Sequence, residues 1–138
     1  MSKADILCLL QGKPILILGF GREGKSTYRF LCENIPDAML TIADGNAELD
    51  ISEIKKNNHG YILGKDYLQS IANHDFIIKS PGISLKDHAT LIQNKTITSQ
   101  TDLFLQAFSN QCIGITGTKG KSTTTSLIYH IFQYLHIP

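Results

Sequence analysis

The strongest constraint on the fold is a short aliphatic run that ends at a cluster of glycines. Pro14-Ile-Leu-Ile-Leu18 leads directly into Gly19-Phe-Gly21-Arg-Glu-Gly24. An apolar run of this length without polar alternation is typical of a parallel strand buried on both faces. The glycines predict a tight turn into a helix, which we expect to begin within the glycine loop and to continue through Asn34.

Strand and helix patterns alternate along the rest of the chain. We predict further strands at 39–43, 61–63, 76–78, 96–98 and 112–116, and helices at 65–72, 87–94, 101–108 and from a second glycine loop to about residue 135. We expect Ser99 or Thr101 to cap the helix at 101–108. Repeated strand–loop–helix units predict an α/β fold, a Rossmann-like parallel sheet with helices on both faces.

The pattern also divides the chain into two parts. We predict a complete first domain over residues 1–109. We expect residues 110–138 to form the first strand–P-loop–helix unit of a truncated second α/β domain, because one such unit cannot complete a core. The apolar face of its helix (Leu127, Ile128, Ile131, Leu135) should then be exposed and could promote self-association.

Composition restricts the possible partners. The formal net charge of +1, with no block of like charges, gives no general attraction for nucleic acid or membrane surfaces. The chain has no apolar stretch of membrane-spanning length and no secretory pattern at its start. Cys8, Cys32 and Cys112 lack metal-site spacing, so we expect free thiols and a cytoplasmic location.

The first glycine loop fits two nucleotide-binding patterns. Gly19–Gly24 satisfies G-x-G-x-x-G, and Asp44 follows Gly24 at the spacing of a dinucleotide site. The literal P-loop pattern is also satisfied, because Gly24 precedes Lys25 and Ser26. Pattern alone therefore leaves NAD, FAD, UDP and ATP as possible ligands.

The second glycine loop, Thr116–Thr123, misses the strict P-loop pattern because position 115 is isoleucine. Its Gly-Lys-Ser core still contains the groups that bind phosphates in P-loops. Backbone amides can cradle phosphates, and Lys121 can reach the β- and γ-phosphates. A hydroxyl of Ser122 or Thr123 can face Mg²⁺.

The segment Ile113–Thr125 resembles the ATP loop of the Mur ligases and folylpolyglutamate synthetases, except that Lys119 stands where the family usually has asparagine. Ile17–Gly24, Asp44 and Ser80-Pro-Gly-Ile83 are similar to the D-glutamate-adding branch of the Mur ligases. Folylpolyglutamate synthetases lack such a uridine-nucleotide domain. The resemblance therefore implies a UDP site in the first domain and an ATP site that begins in the second.

The resemblance implies the following site residues. The UDP moiety would contact Gly21, Arg22, Glu23, Gly24, Asp44, Gly45, Ser80, Pro81 and Gly82. ATP would contact Gly117, Thr118, Lys119, Gly120, Lys121, Ser122 and Thr123. Lys121 would be the catalytic residue, and Ser122 and Thr123 would bind Mg²⁺ through their hydroxyls.

The implied activity is ATP-dependent addition of D-glutamate to UDP-N-acetylmuramoyl-L-alanine through an acyl phosphate, as a step of peptidoglycan synthesis. The remaining Mg²⁺ ligands, the catalytic histidine and the D-glutamate site would lie after Pro138. We therefore expect this chain to bind the uridine nucleotide without catalysing ligation, and the full-length enzyme to be a monomer. Two alternatives remain, an NAD-binding Rossmann regulatory module and another member of the Mur ligase family.

The aromatic residues give one further expectation. Tyr61, Tyr67 and Phe76 belong to a class of side chain that is more often core than ligand-stacking. We therefore predict that all three pack in the core.

Overall fold

A computed structural model of the chain describes residues 3–137, so the outermost residues of both predicted domains lie outside the described part. The fold is a five-stranded, all-parallel sheet with the strand order β3-β2-β1-β4-β5. The strands are β1 (Pro14–Leu18), β2 (Met39–Asp44), β3 (Gly60–Leu63), β4 (Phe76–Lys79) and β5 (Thr96–Thr98). The helices are α1 (Lys3–Leu10), α2 (Arg22–Asn34), α3 (Ser52–Lys56), α4 (Ala89–Ile92), α5 (Gln100–Phe108) and α6 (Lys121–Tyr134), with short 3₁₀ helices at Tyr67–Asn73 and Ser109–Gln111.

The central strand β1 is buried on both faces. Successive side chains of a strand point to opposite faces, so Ile15 and Ile17 join the core beneath α1, α2 and α5. Leu16 and Leu18 enter a second core on the other face, with Ile71 of the 3₁₀ helix. The prediction of a parallel sheet covered on both faces is therefore confirmed.

A polar cluster fixes the buried side of α2. Tyr28 is fully buried, and its hydroxyl accepts a hydrogen bond from Asn57 Nδ2 at 2.9 Å and lies 2.9 Å from His59 Nδ1. Burial raises the pKa of Tyr28 to about 12, because the phenolate would lose its hydration. The cluster ties the middle of α2 to the connection between α3 and β3.

Most predicted elements are present with small changes of bounds. Helix α2 starts inside the glycine loop as expected, and Ser99 caps α5 by accepting a hydrogen bond from the Asp102 N–H at 3.1 Å. The helix predicted at 65–72 is a 3₁₀ helix, and the one predicted at 87–94 is reduced to α4. Helix α1 was not predicted; it packs Ile6 and Leu10 into the first core.

The strand predicted at 112–116 is wrong. Within residues 3–137 this segment is not assigned to any strand or helix. A strand is stabilised by backbone hydrogen bonds to a neighbouring strand, and no described strand pairs with this segment. The division of the chain into domains at 109/110 remains a prediction.

Helix α6 forms as predicted but leaves most of its apolar side chains in solvent. The exposed fractions of Leu127, Ile131 and Leu135 are 59%, 53% and 56%, whereas Ile128 is half-buried. The expected exposure of this helix face is thus confirmed for three of its four residues. Among the described residues, no helix has the length and apolar character needed to span a membrane.

Candidate functional site

A cavity of about 470 Å³ opens at the carboxyl ends of the strands. In open parallel sheets ligands bind at this edge, where the strand order reverses between neighbouring strands. The reversal here falls between β1 and β4, which are paired neighbours although β2 and β3 lie between them in sequence. The cavity is lined by Gly19, Gly21, Arg22, Glu23, Asp44, Gly45, Tyr67, Ser80, Pro81 and Ile83.

Two glycines make the first loop possible. Gly19 has φ +93°, and a Cβ there would lie 2.8 Å from both Ile83 Cδ1 and Ser80 Oγ. A Cβ at Gly24 would lie 2.0 Å from the carbonyl oxygen of Gly19. Gly24 therefore lets the first turn of α2 pack directly against the loop, and this contact aims the helix start at the cavity.

The start of α2 is a natural anion site. Gly21 is the N-cap residue, and no side chain caps the first N–H groups of the helix. Such unpaired N–H groups and the helix dipole favour a negatively charged ligand. Arg22, exposed at the first helical position, adds a positive charge beside them.

Asp44 organises the loop through its carboxylate. Its Oδ2 accepts a hydrogen bond from the backbone N–H of Phe20 at 2.6 Å, and its Oδ1 accepts one from the N–H of Asn46 at 2.8 Å. Hydrogen bonds of backbone N–H groups to a carboxylate are stronger than those between neutral groups. Asp44 thus joins the end of β2 to the loop that follows β1.

The segment Ser80–Ile83 closes the β4 side of the cavity. The Ser80 hydroxyl donates a hydrogen bond to the Gly19 carbonyl at 3.2 Å, and the Ser80 N–H donates to the Leu18 carbonyl at 2.9 Å. Lys79 Nζ donates to the carbonyls of Ser80 at 2.9 Å and of Ile83 at 2.8 Å. The lysine therefore holds the segment in a tight turn.

Glu23 contributes a buried, unpaired oxygen. Its Oε2 has no hydrogen-bond partner among the described residues. A narrow crevice beside it is lined by Thr27, Lys79 and Gln100, and Gln100 Nε2 donates a hydrogen bond to Ser26 Oγ at 3.1 Å. Glu23 therefore lies in the wall between the cavity and the start of α5.

The structure brings together most of the residues predicted to contact UDP. Seven line the cavity: Gly21, Arg22, Glu23, Asp44, Gly45, Ser80 and Pro81. Gly24 does not line it and acts through close packing, and Gly82 is exposed outside it. The sequence prediction did not include Tyr67 or Ile83 as contact residues, and it included Gly19 only as part of the glycine loop.

The aromatic residues divide differently from the prediction. Phe76 is buried as expected, whereas Tyr61 is 42% exposed, so the prediction of a core position for Tyr61 was wrong. Tyr67 is half-buried, packing partly against the second core and partly lining the cavity. Its position follows from the turn at Gly64, where φ is +89°.

The second glycine loop contains two glycines with positive φ angles. Gly117 and Gly120 have φ values of +144° and +80°, and Gly120 is the N-cap residue of α6. Lys121 Nζ donates a hydrogen bond to the Gly117 carbonyl. Ser122 and Thr123 are exposed in the first turn of α6. The described residues contain no group of three histidine, cysteine or acidic side chains placed to hold a metal ion.

The family resemblance is supported by comparison with known proteins. Residues 13–99 match the family described as Mur ligase MurD-like, N-terminal domain. The chain is 32% identical over 132 residues to the UDP-N-acetylmuramoylalanine–D-glutamate ligase of Clostridium tetani, covering 90% of the chain and 28% of that protein. It is 30% identical over 130 residues to the same-named ligase of Geotalea uraniireducens, covering 89% and 28%.

A second kind of relative carries a different name. The UDP-N-acetylmuramoyl-L-alanine–L-glutamate ligase of Xanthomonas euvesicatoria is 29% identical over 133 residues, covering 90% of the chain and 28% of that protein. The chain thus spans under a third of the length of these relatives. The matched region contains the whole of the cavity wall described above. The chain belongs to the Mur ligase family, and its residues 13–99 form the MurD-like N-terminal domain.

Proposed function

We propose that the cavity at the strand ends binds the uridine diphosphate moiety of a peptidoglycan precursor, UDP-N-acetylmuramoyl-L-alanine. The observation that carries this proposal is the convergence of an uncapped helix start, a glycine loop and the Ser80–Ile83 turn on one cavity. Free N–H groups and Arg22 suit a diphosphate. The apolar and aromatic side chains that also line the cavity suit the nucleoside.

The NAD-binding alternative is less well supported. In a dinucleotide site the acid after the second strand accepts hydrogen bonds from ribose hydroxyls. Both carboxylate oxygens of Asp44 already accept backbone N–H groups in this chain. Asp44 therefore has a role in holding the loop together that requires no ribose, and the named relatives act on uridine-linked substrates.

For the whole protein we propose an ATP-dependent ligase that joins glutamate to this precursor. The terminal carboxylate of the precursor would attack the γ-phosphate of ATP, releasing ADP and giving an acyl phosphate. The amine of glutamate would then attack the acyl carbon and expel inorganic phosphate. Activation is required because a carboxylate is a poor electrophile at neutral pH.

D-Glutamate is our first candidate for the added amino acid, following the Clostridium tetani relative. L-Glutamate is a specific second candidate, because ligases named for it match the chain at 29–30% identity. An assay of the whole protein with each enantiomer separates the two. Faster phosphate release with L-glutamate would replace the first candidate by the second.

The second glycine loop suits the phosphates of ATP. Positive φ angles at Gly117 and Gly120 open the backbone toward a bound anion, and Lys121 would exchange its carbonyl partner for phosphate oxygens. Lys121 would thereby stabilise the charge that develops during transfer. Ser122 or Thr123 would hold Mg²⁺ through a hydroxyl, and the ion would supply further neutralisation of the phosphates.

Calorimetric titration of the chain with UDP-N-acetylmuramoyl-L-alanine and with NAD tests the site. We expect binding of the uridine nucleotide only, weakened by Gly21→Ala because a methyl group would occupy the path of the diphosphate. Gly82→Ala is the matched control, since a Cβ there meets no atom within 4 Å and the residue lies outside the cavity. Binding of NAD alone would overturn the proposal.

A separate assay tests the expected lack of catalysis by this chain. Incubation with precursor, ATP, Mg²⁺ and D-glutamate should release no phosphate above the rate without enzyme. A measurable turnover would contradict that expectation, although it would leave the binding site in place.

A further inference from the structure

The cavity has three sides set by the strand order. The loop after β1, with Gly21 and Arg22, lies between the loops that follow β2 and β4. The β4 side is formed by the Ser80–Ile83 turn, and the β2 side by Gly45 and Tyr67. Because the charged and N–H-rich groups lie in the middle, a nucleobase on the diphosphate has to extend toward one of the two sides.

Tyr67 is held at the β2 side by backbone geometry. The Gly64 N–H donates a hydrogen bond to the Asp44 carbonyl at 2.9 Å, and the Tyr67 N–H donates to the Gly64 carbonyl at 3.2 Å. A turn attached to the end of β2 therefore places the first residue of the 3₁₀ helix next to the loop after β2. The ring position is thus set by the same strand end that carries Asp44.

Gly45 lies beside the Tyr67 ring. A Cβ at Gly45 would be 3.4 Å from Tyr67 Cε1, an ordinary van der Waals distance, so the loop after β2 runs next to the ring. Tyr67 is half-buried, packs against the second core and also lines the cavity. Its hydroxyl makes no hydrogen bond to another described residue. Tyr67 therefore adds an aromatic side chain to the β2 side of the cavity.

We propose that Tyr67 is the stacking surface for the nucleobase and a determinant of affinity for the nucleoside part of the substrate. This inference rests on the proposed function, because it assigns the β2 side of the same cavity to the base. Aromatic rings bind nucleobases through their π-faces, and loss of one such contact weakens binding by about tenfold or more. Recognition of the diphosphate does not depend on this ring.

The test is calorimetric titration of the chain and its variants with UDP and, separately, with inorganic pyrophosphate. Tyr67→Leu keeps apolar bulk for the core but removes the ring, and it should weaken UDP binding by about tenfold or more while leaving pyrophosphate binding unchanged. Tyr67→Phe should bind UDP within about threefold of the wild-type affinity, because it keeps the π-face. Tyr61→Leu removes an exposed ring outside the cavity and serves as the matched control.

Each outcome has a distinct meaning. Equal UDP affinity for the wild type and Tyr67→Leu would overturn the stacking role while leaving the proposed function intact. An equal loss of UDP and pyrophosphate binding would also overturn it, since the ring would then only support the cavity. Failure of the wild-type chain to bind UDP would overturn the proposed function itself. Thermal unfolding of every variant confirms that the compared proteins are folded.

Discussion

Replacement of Gly24 by alanine tests whether close backbone packing builds the nucleotide loop. A methyl carbon there would lie 2.0 Å from the Gly19 carbonyl oxygen and 2.9 Å from its carbonyl carbon. Unstrained non-bonded contacts between heavy atoms fall at about 3.5 Å or more. Because the loop carbonyl belongs to the backbone, no side-chain rotation relieves the overlap, and the loop has to move away from α2.

The cost follows from the contacts that move. Overpacking of this kind costs about 1–3 kcal/mol. The displaced Gly19 carbonyl also accepts the hydrogen bond of the Ser80 hydroxyl, which contributes about 1 kcal/mol. Alanine regains at most about 1 kcal/mol through its higher helix propensity. We expect Gly24→Ala to lose about 2–3 kcal/mol of unfolding free energy and roughly 10 °C in Tm.

Urea and thermal unfolding measure this loss, with Gly21→Ala as the control in the same loop. Gly21 has φ −72°, which alanine adopts readily, and a Cβ there meets no atom within 4 Å. Its unfolding free energy should fall by no more than about 1 kcal/mol, the cost of alanine in place of glycine at the N-cap. A Gly24→Ala chain as stable as Gly21→Ala would refute the reasoning.

Three further predictions concern the same framework. Asp44→Asn replaces one of the two oxygens that accept backbone N–H groups by an NH₂ donor. Urea unfolding should therefore show a loss of about 1–3 kcal/mol in unfolding free energy. An unchanged urea midpoint would count against the role of Asp44 in holding the loop. Lys79→Met frees the carbonyls of the turn at 80–83, so amide hydrogen exchange in that turn should rise about tenfold while exchange in α2 stays constant. Tyr28 has its pKa raised from 10.0 to about 12, so its contribution to stability is complete below pH 10 and is lost as pH rises to 12. Tyr28→Phe should therefore show a shallower decline of unfolding free energy between pH 10 and 12, and an equal decline in both proteins would contradict the assignment.

The sheet could be predicted from sequence because each strand is indicated by a residue pattern within its own short segment. The runs at 14–18, 39–43 and 61–63 are short and end directly at a glycine or an aspartate, so these strand positions followed without knowledge of contacts. Helix α1 lacked such signals: its apolar residues form a nearly continuous run, and its helical state depends on docking Ile6 and Leu10 against the sheet.

The segment at 112–116 shows the limit of local patterns. Ile113 and Ile115 favour an extended backbone, but a parallel strand also needs a hydrogen-bonding neighbour. No strand among the described residues lies beside it, and the extended preference alone does not make a strand. Helix α6 forms beside it because its hydrogen bonds are all internal to the segment.

The site was predictable where residues follow strand ends directly. The first glycine loop, Asp44 and the Ser80–Ile83 turn lie at or just after the ends of predicted strands, and the carboxyl ends of parallel strands share one edge of the sheet. Tyr67 could not be placed this way, since its position depends on the turn at Gly64. The role of Asp44 as an acceptor of backbone N–H groups likewise depends on the folded loop.

The central claim, that this cavity is a uridine-diphosphate site, is tested most directly by following the backbone amides of the chain in an NMR titration with UDP-N-acetylmuramoyl-L-alanine. We expect the largest shifts at Gly21, Arg22, Gly45 and Ser80, and an equal concentration of NAD should leave these amides unchanged. Shifts confined to residues 117–123, or shifts at the cavity with NAD alone, would contradict it.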